Sequence, residues 1–214
     1  MNKIHSSAII HPNSKIGKNV EIGPFSIVED NVTIGDNTLI GPNVLIKSFS
    51  YVGEDCKIFN GAVVGEVPMD LKFKGEKSKL IIGDRTTVRE FATLHRGTIE
   101  RGFTQIGSDC LIMSYGHIAH DVIIGDNVIV SISVNIAGHV EIDDFAIIGG
   151  CTPVHQFCKI GKYAFIGGGR LVLKDVPPYI LASGEPLKFA GINVVGLRRK
   201  GFSLNSRKKI KEIY

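Results

Sequence analysis

Aliphatic residues recur at every sixth position along most of this chain. Of the 29 positions taken in steps of six from Ile4 to Val172, all carry Ile, Val or Leu except Asp70, Glu76 and Glu100. Neither a helical period of 3.6 residues nor the strand period of 2 produces a strict repeat of six. Six residues make one short strand and a tight turn, so the repeat predicts a hexapeptide parallel β-helix.

A second inward-facing position lies two residues before each aliphatic one. Positions i and i−2 of a strand share a face, so both side chains should point into the coil. These second positions carry small or β-branched residues, among them Val20, Ser26, Thr38, Cys56, Ala62, Val122 and Ala146. Three hexapeptides close a triangular coil, so residues 4–175 predict about nine coils stacked at about 4.8 Å. The period alone does not give the hand of the coil.

One repeat running through almost all of the 214 residues predicts a single β-helix domain over residues 1–185. Residues 186–214 then form the start of a C-terminal helical segment, with Ser203 as the N-cap of a helix over residues 204–214. No basic start precedes an apolar stretch, and no run of 18 apolar residues occurs. We therefore expect neither a signal peptide nor a membrane span, and a cytoplasmic location.

The four cysteines follow the same register. Cys56, Cys110 and Cys158 fall on the inward i−2 position, and Cys151 lies one residue before it. We therefore expect small buried core residues at all four positions, in preference to a disulfide, a zinc site or a nucleophile.

The repeat breaks twice, and long loops that leave a regular solenoid often carry function. The first break runs from Gly65 to Leu80 and contains Asp70 and Lys72 on either side of a leucine. The second runs from Arg96 to Gln105 and resembles a projecting turn.

Histidines give the sharper functional signal. One coil of three hexapeptides holds 18 residues, so residues separated by about 18 in sequence lie above one another. His120, His139 and His155 are separated by close to this number and should therefore lie near one corner on successive coils. His117 is close enough in sequence to border the same groove. A metal could use such a column, but no cysteine or paired carboxylate joins it at a familiar spacing, so we expect no metal.

A neutral imidazole is a competent general base near neutral pH if a neighbour fixes its tautomer. Asp121 or a backbone carbonyl could do so for His120. Gly138 places an N–H on the next coil, where it could face a developing oxyanion. No Ser, Cys or Lys nucleophile stands out, so the pattern favours acyl transfer by direct attack on the acyl group.

Seven strings spread along the chain resemble the UDP-N-acetylglucosamine acyltransferases of lipid A synthesis: DLKFKGE (70–76), LHRGT (94–98), HIAHD (117–121), AGHVEIDDFAIIGG (137–150), VHQFCKIG (154–161), DVPPY (175–179) and GINVVGLRRKGF (191–202). The resemblance implies a left-handed β-helix and a homotrimer with active sites in clefts between subunits. The implied reaction moves a 3-hydroxyacyl chain from acyl carrier protein to the 3-position of UDP-N-acetylglucosamine. No cofactor is implied.

The resemblance also assigns roles to individual residues. His120 is similar to the general base, Asp121 to its orienting partner and Gly138 to the oxyanion donor. The residues similar to the substrate-binding positions of the family are Asp70, Lys72, His117, His139, His155, Gln156, Gly168, Asn193, Arg199 and Lys200. Among these, the resemblance implies that Asp70 and Lys72 bind the sugar nucleotide. It also implies that Gly168 determines the length of the acyl chain.

Two departures from the family pattern matter. Lys200 stands where the family usually has a second arginine, which keeps the charge but loses bidentate phosphate geometry. The family continues into a domain of several helices, whereas this sequence ends at Tyr214, so we expect either a truncated chain or a reduced module with weakened activity.

Positive charge concentrates near the C-terminus, at Arg198, Arg199, Lys200, Arg207, Lys208, Lys209 and Lys211. A basic tail would steer an acidic acyl carrier protein toward the enzyme, although a solvated helix face has the same composition. No motif that reads nucleic acid accompanies the cluster, so we expect no nucleic-acid partner.

Four alternatives stay open from the sequence. An acyl-CoA-dependent N-acyltransferase of a nucleotide-linked amino sugar would share the β-helix and the base. The acceptor of the carrier-protein reaction could also be a 3-amino analogue of the sugar. An inactive β-helix scaffold and a γ-type carbonic anhydrase complete the set.

Overall fold

The computed structural model describes all 214 residues, and most of the chain is a succession of very short strands and tight turns. The strands, in chain order, are β1 (Lys3–Ile4), β2 (Ile9–Ile10), β3 (Lys15–Ile16), β4 (Glu21–Ile22), β5 (Ile27–Val28), β6 (Thr33–Ile34), β7 (Leu39–Ile40), β8 (Leu45–Ile46), β9 (Ser50–Val52), β10 (Lys57–Ile58), β11 (Val63–Glu66), β12 (Lys79–Ile82), β13 (Thr87–Val88), β14 (Thr93–His95), β15 (Phe103–Ile106), β16 (Leu111–Ile112), β17 (His117–Ile118), β18 (Ile123–Ile124), β19 (Ile129–Val130), β20 (Asn135–Ile136), β21 (Glu141–Ile142), β22 (Ile147–Ile148), β23 (Pro153–Val154), β24 (Lys159–Ile160), β25 (Phe165–Ile166), β26 (Ile180–Ser183) and β27 (Lys188–Ile192). Two helices follow, α1 (Val194–Arg199) and α2 (Leu204–Ile213).

Every third strand up to β25 belongs to the same parallel sheet, so three sheets form the faces of a triangular prism. The first sheet runs from β1 through β25 to β26 and β27, and the second and third sheets hold eight strands each. Ile118 pairs with Ile136, its equivalent on the next coil. The chain passes nine times through the first sheet before β26, which confirms the predicted number of coils.

The core is a stack of aliphatic side chains along the prism axis. Ile58, Ile118 and Ile136 are fully buried, as the sixfold repeat predicts. Each such side chain contributes about 1.5–3 kcal/mol of transfer free energy relative to exposure. The inward hydroxyls are also satisfied: Thr38 donates to the Gly53 carbonyl over 2.8 Å. The core therefore extends along the prism without large aromatic residues.

Both interruptions of the repeat insert whole hexapeptides. Across the first loop, Ile58 pairs with Val88, so the insertion adds two hexapeptides to an ordinary coil. Across the second loop, Leu94 pairs with Ile118, so that insertion adds one hexapeptide. The inward positions therefore keep their register beyond both loops, because the pattern resumes in phase after each insertion.

The C-terminal segment closes the first sheet with a hairpin. Strand β26 continues the parallel sheet beside β25, and β27 returns antiparallel to β26. The division predicted at residues 185–186 lies within the connection of this hairpin. Ser203 caps α2 by accepting from the Ser206 N–H over 3.0 Å, which confirms the predicted helix start. The hairpin and α1 were not predicted.

The cysteine prediction is correct for three residues and wrong for one. Cys56, Cys110 and Cys158 are buried, whereas Cys151 is exposed. The reason is its turn position, where the chain adopts φ 56° and directs the side chain away from the core. Neither of the two helices reaches the length and apolar character that crossing a membrane requires.

Candidate active site

A histidine–aspartate pair lies in the turn that follows β17. Nδ1 of His120 is 2.8 Å from Oδ2 of Asp121, whose side chain is fully buried. An ionised carboxylate only accepts hydrogen bonds, so the proton of this contact belongs to Nδ1 and Nε2 keeps its lone pair. The His120 side chain remains 16 % exposed. The geometry thus fixes one tautomer of an imidazole that is not sealed from solvent.

The Asp121 carboxylate is held from its other side by Thr98. The Thr98 N–H donates to Oδ1 over 2.9 Å and its hydroxyl donates to Oδ2 over 2.7 Å. Burial raises the pKa of the Asp121 carboxyl, but the hydrogen bonds from Thr98 and His120 outweigh burial and hold the pKa below its usual range. Asp121 is therefore ionised at neutral pH. Thr98 was not predicted as a site residue, although it lies in the second interruption of the repeat.

Gly138 lies one coil above His120, in the equivalent position of the turn. A Cβ at Gly138 would lie 2.7 Å from Cε1 and 2.9 Å from Nε2 of His120. Its N–H donates to no acceptor within the chain. At another corner, the equivalent N–H of Ser108 donates to the Asp126 carboxylate over 2.7 Å. The structure thus leaves a free donor on a residue whose backbone lies against the imidazole, where it is suited to stabilise a developing oxyanion.

His139 packs against the same pair. Its ring meets that of His120 edge to face at a centroid distance of 5.2 Å and stacks on Phe157 at 4.6 Å. Nε2 of His139 lies 3.5 Å from a Glu100 carboxylate oxygen and 3.8 Å from Oδ2 of Asp121. Glu100, one of the three exceptions to the sixfold repeat, is a second site neighbour that the sequence analysis missed.

The corner also offers a potential set of metal ligands. Donor atoms of His120, Asp121 and His139 all lie within 4.8 Å of one another. Two imidazoles and a carboxylate suit zinc. However, both oxygens of Asp121 already accept hydrogen bonds from Thr98, and Nδ1 of His120 is bound to the same carboxylate. Metal analysis of the purified protein tests the prediction that no metal binds.

His117 borders the site from strand β17. Its Nδ1 lies 2.8 Å from the Thr93 hydroxyl, and its ring meets His95 edge to face at 5.0 Å. Burial, with a smaller contribution from His95, lowers the pKa of His117 to about 4. Burial also lowers the pKa of His95, which donates from Nδ1 to the Val67 carbonyl over 2.6 Å. Both rings are neutral at pH 7, and His95 was not among the predicted residues.

His155 and Gln156 lie at the same corner, after strand β23. The strands preceding His120, His139 and His155 are neighbours in the second sheet, so the three histidines rise on successive coils as their numbers predict. His155 is exposed and donates from Nδ1 to the Gln156 carbonyl over 3.1 Å. It makes no hydrogen bond to the histidine pair below.

The loop between β11 and β12 carries Asp70 and Lys72. Asp70 accepts from the Lys72 N–H over 2.9 Å, and its own carbonyl accepts from the Phe73 N–H over 3.0 Å. Leu71, between them, is fully exposed, and Met69 is 74 % exposed. Neither Asp70 nor Lys72 forms a hydrogen bond or ion pair with the His120 corner within the single chain.

The remaining predicted residues lie further along the prism. Gly168 is exposed in the turn after β25. Asn193 uses its side chain as the N-cap of α1. Arg199 is exposed, and the Lys200 ammonium lies 4.5 Å from the centre of the Phe145 ring.

An apolar cavity of about 530 Å³ lies between residues 171–177 and the β26–β27 hairpin. It contains none of the predicted site residues. The His120 corner is therefore not part of this cavity in the single chain.

Comparison with known proteins identifies the family. Residues 13–48, 31–66 and 103–131 match the bacterial transferase hexapeptide family of six repeats, and residues 175–214 match domain 2 of UDP N-acetylglucosamine O-acyltransferase. The acyl-(acyl-carrier-protein)–UDP-N-acetylglucosamine O-acyltransferase of Aliarcobacter butzleri is 53 % identical over 215 residues, which cover all of this chain and 83 % of that protein. The chain belongs to the UDP-N-acetylglucosamine O-acyltransferase family.

Solved structures of UDP-N-acetylglucosamine acyltransferases share the fold. The enzyme of Francisella novicida superposes with a TM-score of 0.97 at 43 % identity, over 99 % of this chain and 78 % of that chain. LpxA of Acinetobacter baumannii gives a TM-score of 0.95 at 48 % identity, over 98 % of this chain and 81 % of that chain. The fold is the left-handed parallel β-helix that the resemblance implied, followed by a short α-helical segment.

Proposed function

We propose that this chain transfers a 3-hydroxyacyl chain from acyl carrier protein to the 3-hydroxyl of UDP-N-acetylglucosamine, the first step of lipid A biosynthesis. The observation that carries the proposal is the His120–Asp121 pair beneath the unpaired N–H of Gly138. Membership of the acyltransferase family supplies the substrate class.

The chemistry follows from which nitrogen is free. Nε2 of His120 takes the proton from the sugar hydroxyl as its oxygen attacks the thioester carbonyl of the donor. The new carbon–oxygen bond forms, and the former carbonyl oxygen becomes negatively charged. This oxygen accepts a hydrogen bond from the Gly138 N–H. The intermediate then expels the carrier thiolate, which takes the proton back from His120. Asp121 stabilises the imidazolium throughout, because its carboxylate is ionised and bound to Nδ1.

The substrate-binding assignments belong to the same proposal. His117, His139, His155 and Gln156 line the cleft around the acceptor. The neutral state of His117 supports this, since Nδ1 is engaged by the Thr93 hydroxyl and Nε2 of the neutral ring is left to donate to a sugar hydroxyl or accept from one, according to the tautomer. Gly168 limits the acyl chain at the far end.

Three chains assemble around these clefts in this proposal, and the loop of one subunit supplies Asp70 and Lys72 to its neighbour. The exposed Leu71 and Met69 on that loop support an intersubunit contact, because projecting apolar side chains are typical of interfaces. Light scattering at the mass of three chains is the expected result. A stable monomer with full activity would contradict the shared site.

The C-terminal segment from residue 186 receives the donor. Helix α2 has no buried residue, and it presents basic side chains on an element anchored by the Tyr214 hydroxyl, which donates to the Pro178 carbonyl over 2.7 Å. An acidic carrier protein is attracted to such a surface, and the attraction weakens with salt. Asn193, Arg199 and Lys200 lie on the path to this helix and are proposed to contact the acyl donor or the phosphates.

A mass-spectrometric assay tests the function. UDP-N-acetylglucosamine and its 3-amino analogue are offered separately with 3-hydroxyacyl carrier protein or with acyl-CoA. We expect product from carrier protein and the hydroxyl acceptor, and a loss of at least about 100-fold in rate for His120→Ala with a normal assembly. His11→Ala, an exposed histidine on the first coil, is the matched control. Product from CoA alone, or no product, would contradict the proposal.

A further inference from the structure

Thr98 binds both oxygens of the Asp121 carboxylate at once. Its N–H reaches Oδ1 at 2.9 Å and its hydroxyl reaches Oδ2 at 2.7 Å. Two donors on one residue fix both the position and the plane of the carboxylate, which a single hydrogen bond does not do. Thr98 is itself buried, with 4 % exposure.

The direction of the hydroxyl proton is determined by its neighbours. The Thr98 hydroxyl oxygen accepts from the Glu100 N–H over 3.3 Å. Asp121 is ionised, and a carboxylate oxygen only accepts. The hydroxyl hydrogen therefore points to Oδ2, the same oxygen that accepts from Nδ1 of His120.

The loop that carries Thr98 is held rigidly on both sides. The Arg96 N–H donates to the Glu66 carbonyl over 3.0 Å, and the Gly97 N–H donates to the Lys79 carbonyl over 3.1 Å. A Cβ at Gly97 would lie 2.5 Å from the Phe103 backbone nitrogen, so glycine allows the close approach of these segments. The backbone thus places Thr98 beneath Asp121 without depending on the Asp121 contact itself.

Thr104, in strand β15, provides a contrast. Its hydroxyl accepts from the Asp121 backbone N–H over 2.8 Å, so it holds the main chain and leaves the carboxylate untouched. Only Thr98 and His120 donate hydrogen bonds to the Asp121 carboxylate.

We propose that Thr98 is a positioning residue of the acyl transfer, which fixes Asp121 so that His120 holds its proton on Nδ1 and presents the Nε2 lone pair to the acceptor hydroxyl. The inference rests on the proposed function for its kinetic consequence. The predicted tautomer of His120 does not depend on the proposed function, because the tautomer is a property of the protein alone.

Kinetics of three variants test the role. Thr98→Val keeps the shape and removes the hydroxyl donor, and Thr98→Ser keeps the donor. Thr86→Val is the control, because the buried Thr86 hydroxyl, just before β13, donates to the Gly107 carbonyl over 2.7 Å and touches none of the site residues. We expect kcat to fall at least about tenfold in Thr98→Val, with KM for the sugar nucleotide within about threefold. Thr98→Ser should retain most of the activity and Thr86→Val all of it.

Nitrogen-15 NMR of the histidine rings in the whole unliganded protein gives a readout independent of turnover. We expect one tautomer of His120, protonated at Nδ1, in the wild-type protein and in Thr98→Ser, and a mixture in Thr98→Val. An unchanged tautomer together with an unchanged kcat in Thr98→Val would overturn the inference. So would a kcat loss in Thr98→Val that Thr98→Ser does not reverse.

The two proposals fail in different ways. If the wild-type protein shows no acyl transfer while the tautomer depends on Thr98, the proposed function fails and the positioning role stands. If transfer proceeds and Thr98→Val changes neither kcat nor the tautomer, the positioning role fails and the function stands.

Discussion

Replacing Gly138 with alanine tests the close approach of the two coils at the active site. The backbone at Gly138 does not adopt a positive φ, so alanine is conformationally allowed there. Its Cβ, however, would lie 2.7 Å from Cε1 and 2.9 Å from Nε2 of His120, where ordinary contacts begin at 3.4 Å. The imidazole must therefore retreat by about 0.7 Å from Gly138, which changes the position of Nε2 relative to the Gly138 N–H and of Nδ1 relative to Asp121.

This displacement raises the free energy of the transition state. A catalytic group misplaced by about 1 Å loses about 100-fold in rate, which corresponds to about 2.7 kcal/mol of activation free energy. The Gly138 N–H itself remains, so the oxyanion donor is retained and the change acts through the position of His120. We expect kcat to fall by about 100-fold for Gly138→Ala, with KM for the sugar nucleotide little changed.

Gly150→Ala is the matched control for this experiment. Gly150 occupies the equivalent turn position at another corner, and its Cβ would meet a methyl of Ile132 at 3.2 Å and the Ile132 carbonyl oxygen at 3.3 Å, both looser than the contacts at Gly138. Ile132 is 50 % exposed and can yield. Steady-state kinetics and thermal melts of both variants form the assay. Full activity in Gly138→Ala, or an equal loss in Gly150→Ala, would refute the argument that the Gly138 contact sets the position of the base.

Three further predictions concern acyl length, acid stability and thiol exposure. Gly168→Met should shift donor preference toward shorter chains in a competition assay, and an unchanged profile would place the length determinant elsewhere. His117 has its pKa lowered to about 4, so between about pH 6.5 and pH 4 the unfolded chain binds a proton that the folded chain does not. Stability should therefore fall as the pH drops through this window, by about 2 kcal/mol after allowance for partial exposure. Urea unfolding at pH 7 and pH 4.5 measures this, and His117→Asn should reduce the effect to the part that the buried His95 contributes; an unchanged pH dependence would contradict the assignment. Cys56, Cys110 and Cys158 are buried, and burial raises the pKa of the Cys56 thiol to about 11. Maleimide at neutral pH should therefore label only Cys151 in the native protein and all four cysteines after unfolding. More than one label on the native protein would contradict the burial of the other three cysteines.

The β-helix could be predicted because its information is local and repeated. Each hexapeptide carries its own inward aliphatic residue, and the burial of Ile58, Ile118 and Ile136 matches the repeat. The exceptions to the repeat lie in the two loops, each of which inserts whole hexapeptides. Cys151 was misjudged because a one-residue offset at a turn reverses the direction of a side chain.

The candidate site was only partly predictable. His120, His139 and His155 could be assigned to one corner from their spacing. In a regular β-helix the sequence separation of two residues gives both the coil and the position around the coil on which each one lies. Thr98 and Glu100 could not, because they lie in a loop whose path does not follow the repeat. Their contacts with Asp121 and His139 depend on how this loop folds back onto the corner.

The sequence by itself determined the repeating coil, the inward and outward faces, the helix start at Ser203 and the corner that holds the histidines. It did so because a period of six ties each residue to the residues of the coils above and below. The tertiary structure alone decided that Thr98 holds Asp121, that the Gly138 N–H is free over His120 and that the C-terminal hairpin extends the first sheet. The first two features depend on contacts of about 3 Å between residues more than a dozen positions apart, which no local pattern encodes.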